Sequence, residues 1–309
     1  MDRLNNMKNA TKKQKIKAAL KTALVCLLTA AMLSACELPD FESWFGNKTN
    51  DSGKLVAHFL DVGQGDSIFI ELPNDETMLI DAGENYRGEG IIKYIQSTGH
   101  DKIDYLIGTH PHSDHIGSMA YIVRNFDIGE IYMPKVSANT KQFESLLAAV
   151  KKKGMNVKNG KSGVRVVKDG KLSADIIAPI VIDESNLNNC SIVLRLTYGD
   201  NTFLFTGDAE TGEMDTVKED ISADVLKVGH HGGKNASTQK LIESISPEIA
   251  VISCGKNNEY GHPHKEVLSY LKKVKSSVYR TDRQKTVKVT SNGKDLKVET
   301  GAGSIARAK

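Results

Sequence analysis

The stretch His110-Pro111-His112-Ser113-Asp114-His115 places three imidazoles and one carboxylate within six residues. Imidazole nitrogens and carboxylate oxygens are the donors that first-row dications such as zinc favour, and a stiff Pro111 reduces the entropy lost in gathering them. A solvated surface loop also tolerates His and Asp, but chance poorly explains three of the chain's nine histidines in one such loop. One ion is hard-pressed to take all four donors from so short a segment. Dividing them, His110 and His112 to one ion and Asp114 and His115 to the next, relieves that geometry.

Outward from this stretch, short β-branched or aromatic runs broken by Gly, Asn or Asp alternate with segments of helical period. Strands are expected over Leu55–Leu60, Ser67–Leu72, Met78–Ile80, Tyr105–Ile107, Glu130–Met133, Ser191–Leu196, Thr202–Phe205, Val225–Val228, Ile249–Ser253, Val278–Arg280, Thr286–Thr290 and Leu296–Glu299. Helices are expected over Gly90–Thr98, Ser118–Asn125, Lys141–Lys152, Thr211–Lys218, Thr238–Ser244 and Lys265–Lys273. The result is a mixed α/β domain with more than one sheet. Four of the runs end in polar loops: Met78–Ile80 leads to Asp81, Tyr105–Ile107 to His110, Phe203–Phe205 to Gly207-Asp208, and Val225–Val228 to His230-His231. In open α/β sheets ligands bind beyond the carboxyl ends of strands, so these loops are expected to converge on one site.

In these blocks the sequence resembles the metallo-β-lactamase fold, and within it the branch found as the extracytoplasmic domain of the competence DNA-uptake protein ComEC. The likeness is carried by His58 to Ser67, Leu79-Ile80-Asp81-Ala82-Gly83, His110 to Gly117, Asn189 to Leu196, Phe205-Thr206-Gly207-Asp208, Asp224 to Gly232 and Asn257 to His264. It implies a four-layer αββα sandwich, two mixed β-sheets flanked by helices, with two divalent ions, Zn²⁺ or Mn²⁺, at the sheet edges. By resemblance, His110, His112 and Asp208 hold the first ion, and Asp114, His115, Asp208 and His231 the second, with Asp208 bridging. Asp81 resembles the structural carboxylate that steadies the histidine loop. His230 competes with His231 for the ligand position, and His231 is favoured.

One departure stands out. Many relatives of the wider fold offer a further histidine before the strand that corresponds to Ser191–Leu196, and here Glu184 to Asn189 contains none. The same is true of the ComEC branch and of the teichoic-acid phosphorylcholine esterases it resembles. The first site is then ligand-poor, which favours manganese over zinc there.

Two dications about 3.5–4 Å apart bridge a water, lower its pKa towards ~7 and clamp an in-line displacement at phosphorus or a carbonyl. The expected activity is therefore a binuclear-metal hydrolase, foremost a phosphodiesterase or nuclease acting by metal-bridged hydroxide, with Asp114 and Asp208 in the catalytic centre. His262 and His264 are candidates for leaving-group protonation or substrate contact. Single-stranded DNA is one expected substrate. The alternatives are a non-nucleolytic hydrolase of cell-wall or small phosphoesters, a lactam hydrolase, and a non-catalytic metal-stabilised binding lipoprotein. Gly63-Gln64-Gly65-Asp66 reads as a turn between strands, His58 as a satisfied core histidine, and His100 as a residue without a role.

The 309 residues are 39% hydrophobic and 26% charged, a globular balance that excludes collagen, coiled coil and wholesale disorder. Their net +3 is unevenly placed: residues 1–35 contribute +6, 265–309 contribute +8, and 36–264 carry −11. Lysines followed by the apolar run Thr22–Leu33 and Leu33-Ser34-Ala35-Cys36 read as a lipoprotein signal peptide over 1–35. Lipidated Cys36 would then anchor an extracytoplasmic protein to the membrane through a polar tether, 36–54, ahead of the catalytic domain at 55–300. With Cys26 in the signal and Cys36 lipidated, Cys190 and Cys254 remain; Cys254 ends an apolar run and reads as a buried thiol.

Overall fold

The computed structural model describes residues 53–302. The signal segment, Cys36 and nearly all of the tether lie outside the described residues. Among those described, no helix is long and apolar enough to cross a membrane.

Among the described residues, fifteen strands form two sheets. The chain runs β1 (Leu55–Phe59), β2 (Ile68–Glu71), β3 (Thr77–Ile80), β4 (Lys102–Ile107), β5 (Asp127–Met133) and β6 (Val157–Asn159) in the first sheet. It crosses to the second for β7 (Val164–Asp169), β8 (Leu172–Ala178), β9 (Val193–Tyr198), β10 (Asn201–Phe205), β11 (Val225–Lys227), β12 (Ile249–Ile252) and β13 (Ser277–Arg280), then returns for β14 (Thr286–Ser291) and β15 (Leu296–Ala302). The first sheet is ordered β15-β14-β1-β2-β3-β4-β5-β6 and the second β13-β12-β11-β10-β9-β8-β7. Each is mixed. β3 to β6 pair in parallel in one, β10 to β13 in the other, and the remaining neighbours are antiparallel.

Side-chain alternation along these strands creates the layers, because successive residues of a strand face opposite sides of its sheet. Phe203 and Phe205 of β10 and Ile249 and Val251 of β12 point into the core between the sheets, where Phe205 meets Phe59 with ring centroids 6.1 Å apart. Their neighbours Leu204, Ala250 and Ile252 face the helices instead. On the first sheet Met78 and Ile80 turn inward while Leu79 turns outward. Each fully buried side chain of this kind contributes about 1.5–3 kcal/mol, so strands apolar on both faces are what this architecture requires.

Helices α1 (Gly88–Ser97), α2 (Ser113–Ile116), α3 (Met119–Asn125) and α4 (Lys141–Lys152) lie along the first part of the chain, followed by α5 (Thr211–Met214), α6 (Gln239–Ile245), α7 (Lys265–Lys273) and α8 (Thr281–Gln284). Ile91 and Ile95 of α1 and Leu146 and Val150 of α4, each pair four residues apart, cover the first sheet. Val267 and Leu271 of α7 do the same on the second. Thr140 caps α4 by accepting from Phe143 N at 3.2 Å. The expected αββα sandwich is the fold observed.

Two local expectations fail. The helix expected over Thr211–Lys218 stops at Met214: the Thr216 hydroxyl bonds the Glu213 carbonyl at 2.7 Å, and the β-branched pair Thr216-Val217 is a poor helix former. Strands β6 to β8 were not anticipated, because Lys158, Arg165 and Lys168 dilute their apolar content. Their signal is the strict alternation of Leu172, Ala174 and Ile176, all buried, after the two-residue turn Gly170-Lys171. Cys190 and Cys254 are buried and free. Burial pushes the Cys254 thiol up to about 12, as suits an inert core group.

Candidate metal centre

Parallel neighbours β3 and β4 release Asp81 and His110 from one sheet, and parallel neighbours β10 and β11 release Asp208 and His231 from the other. The carboxyl ends of two sheets therefore supply one site. The local backbone is unusual. Asp81, His230 and His231 all have positive φ, at 57°, 49° and 54°, a region costing an ordinary residue about 1–2 kcal/mol. The double-histidine loop is held by His230 N donating to Gly207 O (3.2 Å) and His264 N donating to Gly232 O (3.0 Å). Gly232 cannot be larger, since a Cβ there would fall 2.4 Å from that of Pro263.

Asp114, His115, Asp208 and His231 each offer one donor atom to a cluster whose members all lie within 4.8 Å of one another. His115 Nε2 is 3.2 Å from Asp208 Oδ2 and 3.7 Å from Asp114 Oδ2. His231 Nε2 is 3.2 Å and 3.6 Å from those same carboxylates, Asp114 first. Each ring is aimed from behind: His115 Nδ1 donates to Asp81 Oδ2 at 2.8 Å, and His231 Nδ1 to Ser253 O at 3.0 Å. Asp81 also accepts from Thr109 N (2.8 Å) and Thr109 Oγ1 (2.7 Å), so it organises the histidine loop from beneath.

Buried His115 Nε2 and Asp208 Oδ1 have no hydrogen-bond partner. Such orphaned atoms cost about 1–3 kcal/mol each, and their belonging to two members of the cluster marks a place for a cation. The electrostatics agree. Burial alone would push His115 down, but Asp208, Asp114 and Asp81 raise it well above the ordinary histidine value. Against the same burial, Asp208 with Asp114 and Asp66 raises His231 to about 10. Burial would raise the Asp208 carboxyl, yet His115 and His231 hold it well below the usual range. Protons thus occupy the space between these carboxylates, and a dication can displace them.

His110 and His112 are adjacent to this cluster without joining it. Among the described residues, no group that could hold an ion contains either. His110 Nδ1 lies 3.1 Å from Thr109 Oγ1 and 3.2 Å from Ser191 Oγ, and its Nε2 lies 3.0 Å from His112 Nδ1. Burial, with His115 alongside, pushes His110 well below the ordinary value, which leaves it a neutral ring. His230 Nε2 sits 3.6 Å from Asp208 Oδ2, the same distance as His231 Nε2, but His231 Nε2 also reaches Asp114 Oδ2 at 3.2 Å. His262 and His264 form the opposite rim, their ring centroids 4.9 Å apart and that of His262 5.5 Å from that of His230. Where the wider fold offers another histidine, Asn186, Asn188 and Asn235 donate to the Glu210 carboxylate at 3.1, 3.3 and 2.7 Å.

Several residues at the site were not anticipated. Asp66, read as part of a turn, is buried and pairs with Lys227 Nζ at 2.7 Å. The available signal was Lys227 itself, a cation inside the apolar run Val225–Val228. Ser191 accepts from Asp208 N at 3.2 Å while its Oγ faces His110, so one hydroxyl joins two ligand loops. His58 is satisfied as expected, by Glu71 (2.8 Å) and Tyr94 (2.9 Å). His100 does have a role: its Nε2 donates to the other Glu71 oxygen at 2.9 Å.

The family model described as the metallo-beta-lactamase superfamily matches residues 60–256. ComE operon protein 3 of Bacillus subtilis is 34% identical over 257 residues, covering 76% of this chain and 33% of that protein. Recombination protein 2 of Haemophilus influenzae is 30% identical over 228 residues, covering 72% and 27%. The chain spans about a third of the length of these curated relatives. A mutant of CmlA beta-hydroxylase superposes with a TM-score of 0.51 at 14% identity, over 77% of this chain and 53% of that one, a likeness of fold alone.

Proposed function

Since this chain belongs to the metallo-beta-lactamase superfamily, we propose that it is a metal-dependent phosphodiesterase, held outside the cytoplasm by a lipid on Cys36, whose substrate is a nucleic-acid strand. The anchor rests on the sequence of the first 36 residues. Relatives named for competence and recombination support the nucleic-acid substrate.

The observation that carries the reading is the convergence of Asp114, His115, Asp208 and His231 within 4.8 Å. Two nitrogen and two oxygen donors, with orphaned buried atoms on His115 and Asp208, fit a borderline dication such as Zn²⁺ or Mn²⁺. These four residues would hold one ion. His110 and His112, with Asp208 shared, would hold a second after their nitrogens part. Bound there, such ions supply Lewis acidity and a water of lowered pKa.

The chain's own residues supply position and protons. Asp81 fixes His115, and the Ser253 carbonyl fixes His231, so each presents Nε2 to the site. Lys234 N donates to His264 Nδ1 at 3.2 Å, which leaves Nε2 of that ring with a hydrogen to donate in a hydrogen bond to a substrate oxygen. Burial and the neighbouring His230, His231 and His264 push His262 down to about 4, so it serves as a neutral wall of the site.

The test is metal analysis of the purified protein with bis(p-nitrophenyl) phosphate hydrolysis under Zn²⁺ or Mn²⁺, beside Asp208→Ala. Two ions per chain and loss of hydrolysis in the variant are expected; no hydrolysis with either ion overturns the reading. A second reading, a metal-stabilised binding lipoprotein, draws on the direct contact between His110 and His112. One ion per chain with no turnover is its signature.

A further inference from the structure

Helix α5 stops at Met214, and the chain reaches β11 through a loop over residues 215–224. Between that loop and the outer face of β7 to β9 opens a cavity of about 430 Å³. Alternation along the strands sets its floor. Ile176 of β8 and Leu194 and Leu196 of β9 enter the core between the sheets, so Asp175, Ile177 and Arg195 face the other way. Arg165 of β7 is the register partner of Asp175, and Asp175 of Arg195, which places three charges side by side across three strands. Arg165 Nε donates to Asp175 Oδ1 at 2.5 Å. Glu219 and Asp220, both exposed, form the mouth.

Arg195 is matched on one side and not on the other. Its Nη1 donates to Thr197 Oγ1 at 2.9 Å. Its Nε is buried and, among the described residues, has no hydrogen-bond partner. Nη2 lies 3.7 Å from Asp220 Oδ2, too far for a hydrogen bond. Nε–H and Nη2–H are the parallel pair with which a guanidinium grips a carboxylate, so the edge best shaped for a carboxylate is the one the chain leaves unmatched.

The mouth carries the opposite sign. Glu219 accepts from Lys218 N at 3.1 Å, and Asp220 from Ser222 N and Oγ at 2.9 and 2.8 Å, neutral donors that leave both carboxylates able to meet a cation. Ile177 gives the wall between the two ends an apolar surface. The volume falls in the range of about 300–1,000 Å³ typical of organic-ligand pockets.

We propose that this cavity binds a small zwitterion, an amino acid or dipeptide, with its carboxylate on the Nε–Nη2 edge of Arg195 and its ammonium at Glu219 and Asp220. The ligand carboxylate takes the place that Asp220 approaches from 3.7 Å, which frees that side chain for the ammonium. No residue of the cavity belongs to the metal cluster, so occupancy does not depend on the phosphodiesterase reading.

Saturation-transfer NMR titration of the full chain with alanyl-alanine, in EDTA so that no ion sits at the histidine cluster, tests it. Binding at or below about 1 mM is expected. Arg195→Lys keeps the charge, removes the fork and should weaken binding about tenfold or more. Matched melting curves check its fold. Glu219→Gln with Asp220→Asn, on the exposed loop, should leave melting unchanged and weaken binding several-fold. Alanyl-alaninamide, which lacks the carboxylate, and N-acetyl-alanyl-alanine, which lacks the ammonium, should each bind about tenfold more weakly or worse. No saturable binding of alanyl-alanine up to about 10 mM overturns the site, as does unchanged affinity in either variant. Equal binding of the amide or of the acetylated peptide overturns the zwitterion as occupant, and so does binding of inorganic phosphate in its place.

Discussion

Asp66 Oδ2 accepts from Lys227 Nζ at 2.7 Å, and both side chains are buried between the ligand loops. The pair joins the turn after β1 to the end of β11, directly behind His231, whose Nδ1 is 3.5 Å from Asp66 Oδ1. Burial would raise the Asp66 carboxyl, yet Lys227 and His231 hold it down to about 2, so it remains an anion.

Breaking such a pair strands a charge in the interior. Lys227→Met is expected to lower unfolding free energy by about 3–5 kcal/mol, and a double change to Asp66→Leu and Lys227→Met to recover part of that loss. Urea denaturation of the three metal-free proteins measures both. A single substitution costing under about 1 kcal/mol would show the pair to be dispensable.

Asp81 touches three donors and, in the proposed centre, no ion. Asp81→Asn replaces an acceptor facing His115 Nδ1–H and should cost 10–100-fold in metal affinity while the sheets persist. Competition with a chromophoric chelator gives the affinity, and circular dichroism the fold. Unchanged affinity would assign Asp81 to packing alone.

Much of this centre was legible because its chemistry is local. His110 to His115 are contiguous, and Asp81, Asp208 and His231 follow apolar runs that had to be strands. Asp66 was missed because a turn and a buried anion read alike until Lys227 is placed beside it. Ser191 gave no signal either, since its importance lies in joining loops from different strands. Likewise β6 lies at the end of one sheet and β7 and β8 at the end of the other, where Lys158 and Arg165 stay solvated and blur the apolar pattern.

Away from the centre, Glu71 bridges His58 and His100. Burial would raise the Glu71 carboxyl, but hydrogen bonds from His100 and His58 bring it down to about 2 from an ordinary 4.5. Its contribution to stability is therefore complete above pH 4.5 and is lost as pH falls towards about 2. Burial also lowers His58, so that residue favours the fold above its ordinary 6.5 and ceases to as pH falls below it. Both act in the same direction. Glu71→Gln should remove on the order of 2 kcal/mol at pH 7 and less near pH 3, narrowing the gap to wild type. Melting curves from pH 7 to 3 test this; a gap that widens in acid contradicts it.

Ser191 offers the sharpest separation of the two halves of the centre. Its Oγ accepts from Asp208 N and lies 3.2 Å from His110 Nδ1, where a proton leaves Nε2 free for an ion. Thr109 Oγ1, 3.1 Å from the same nitrogen, partly compensates for its loss. Ser191→Ala should therefore cost only about 1–2 kcal/mol in stability, by leaving the buried Asp208 N–H unpaired. Its effect on metal should fall unevenly. The group of Asp114, His115 and His231 is aimed by Asp81 and Ser253, neither of which touches Ser191, so the ion held there should bind as in wild type. The ion expected at His110 and His112 should weaken roughly tenfold as His110 loses part of its anchor. Calorimetric titration resolves the two steps, and equal weakening of both would show that Ser191 acts through Asp208 instead of His110.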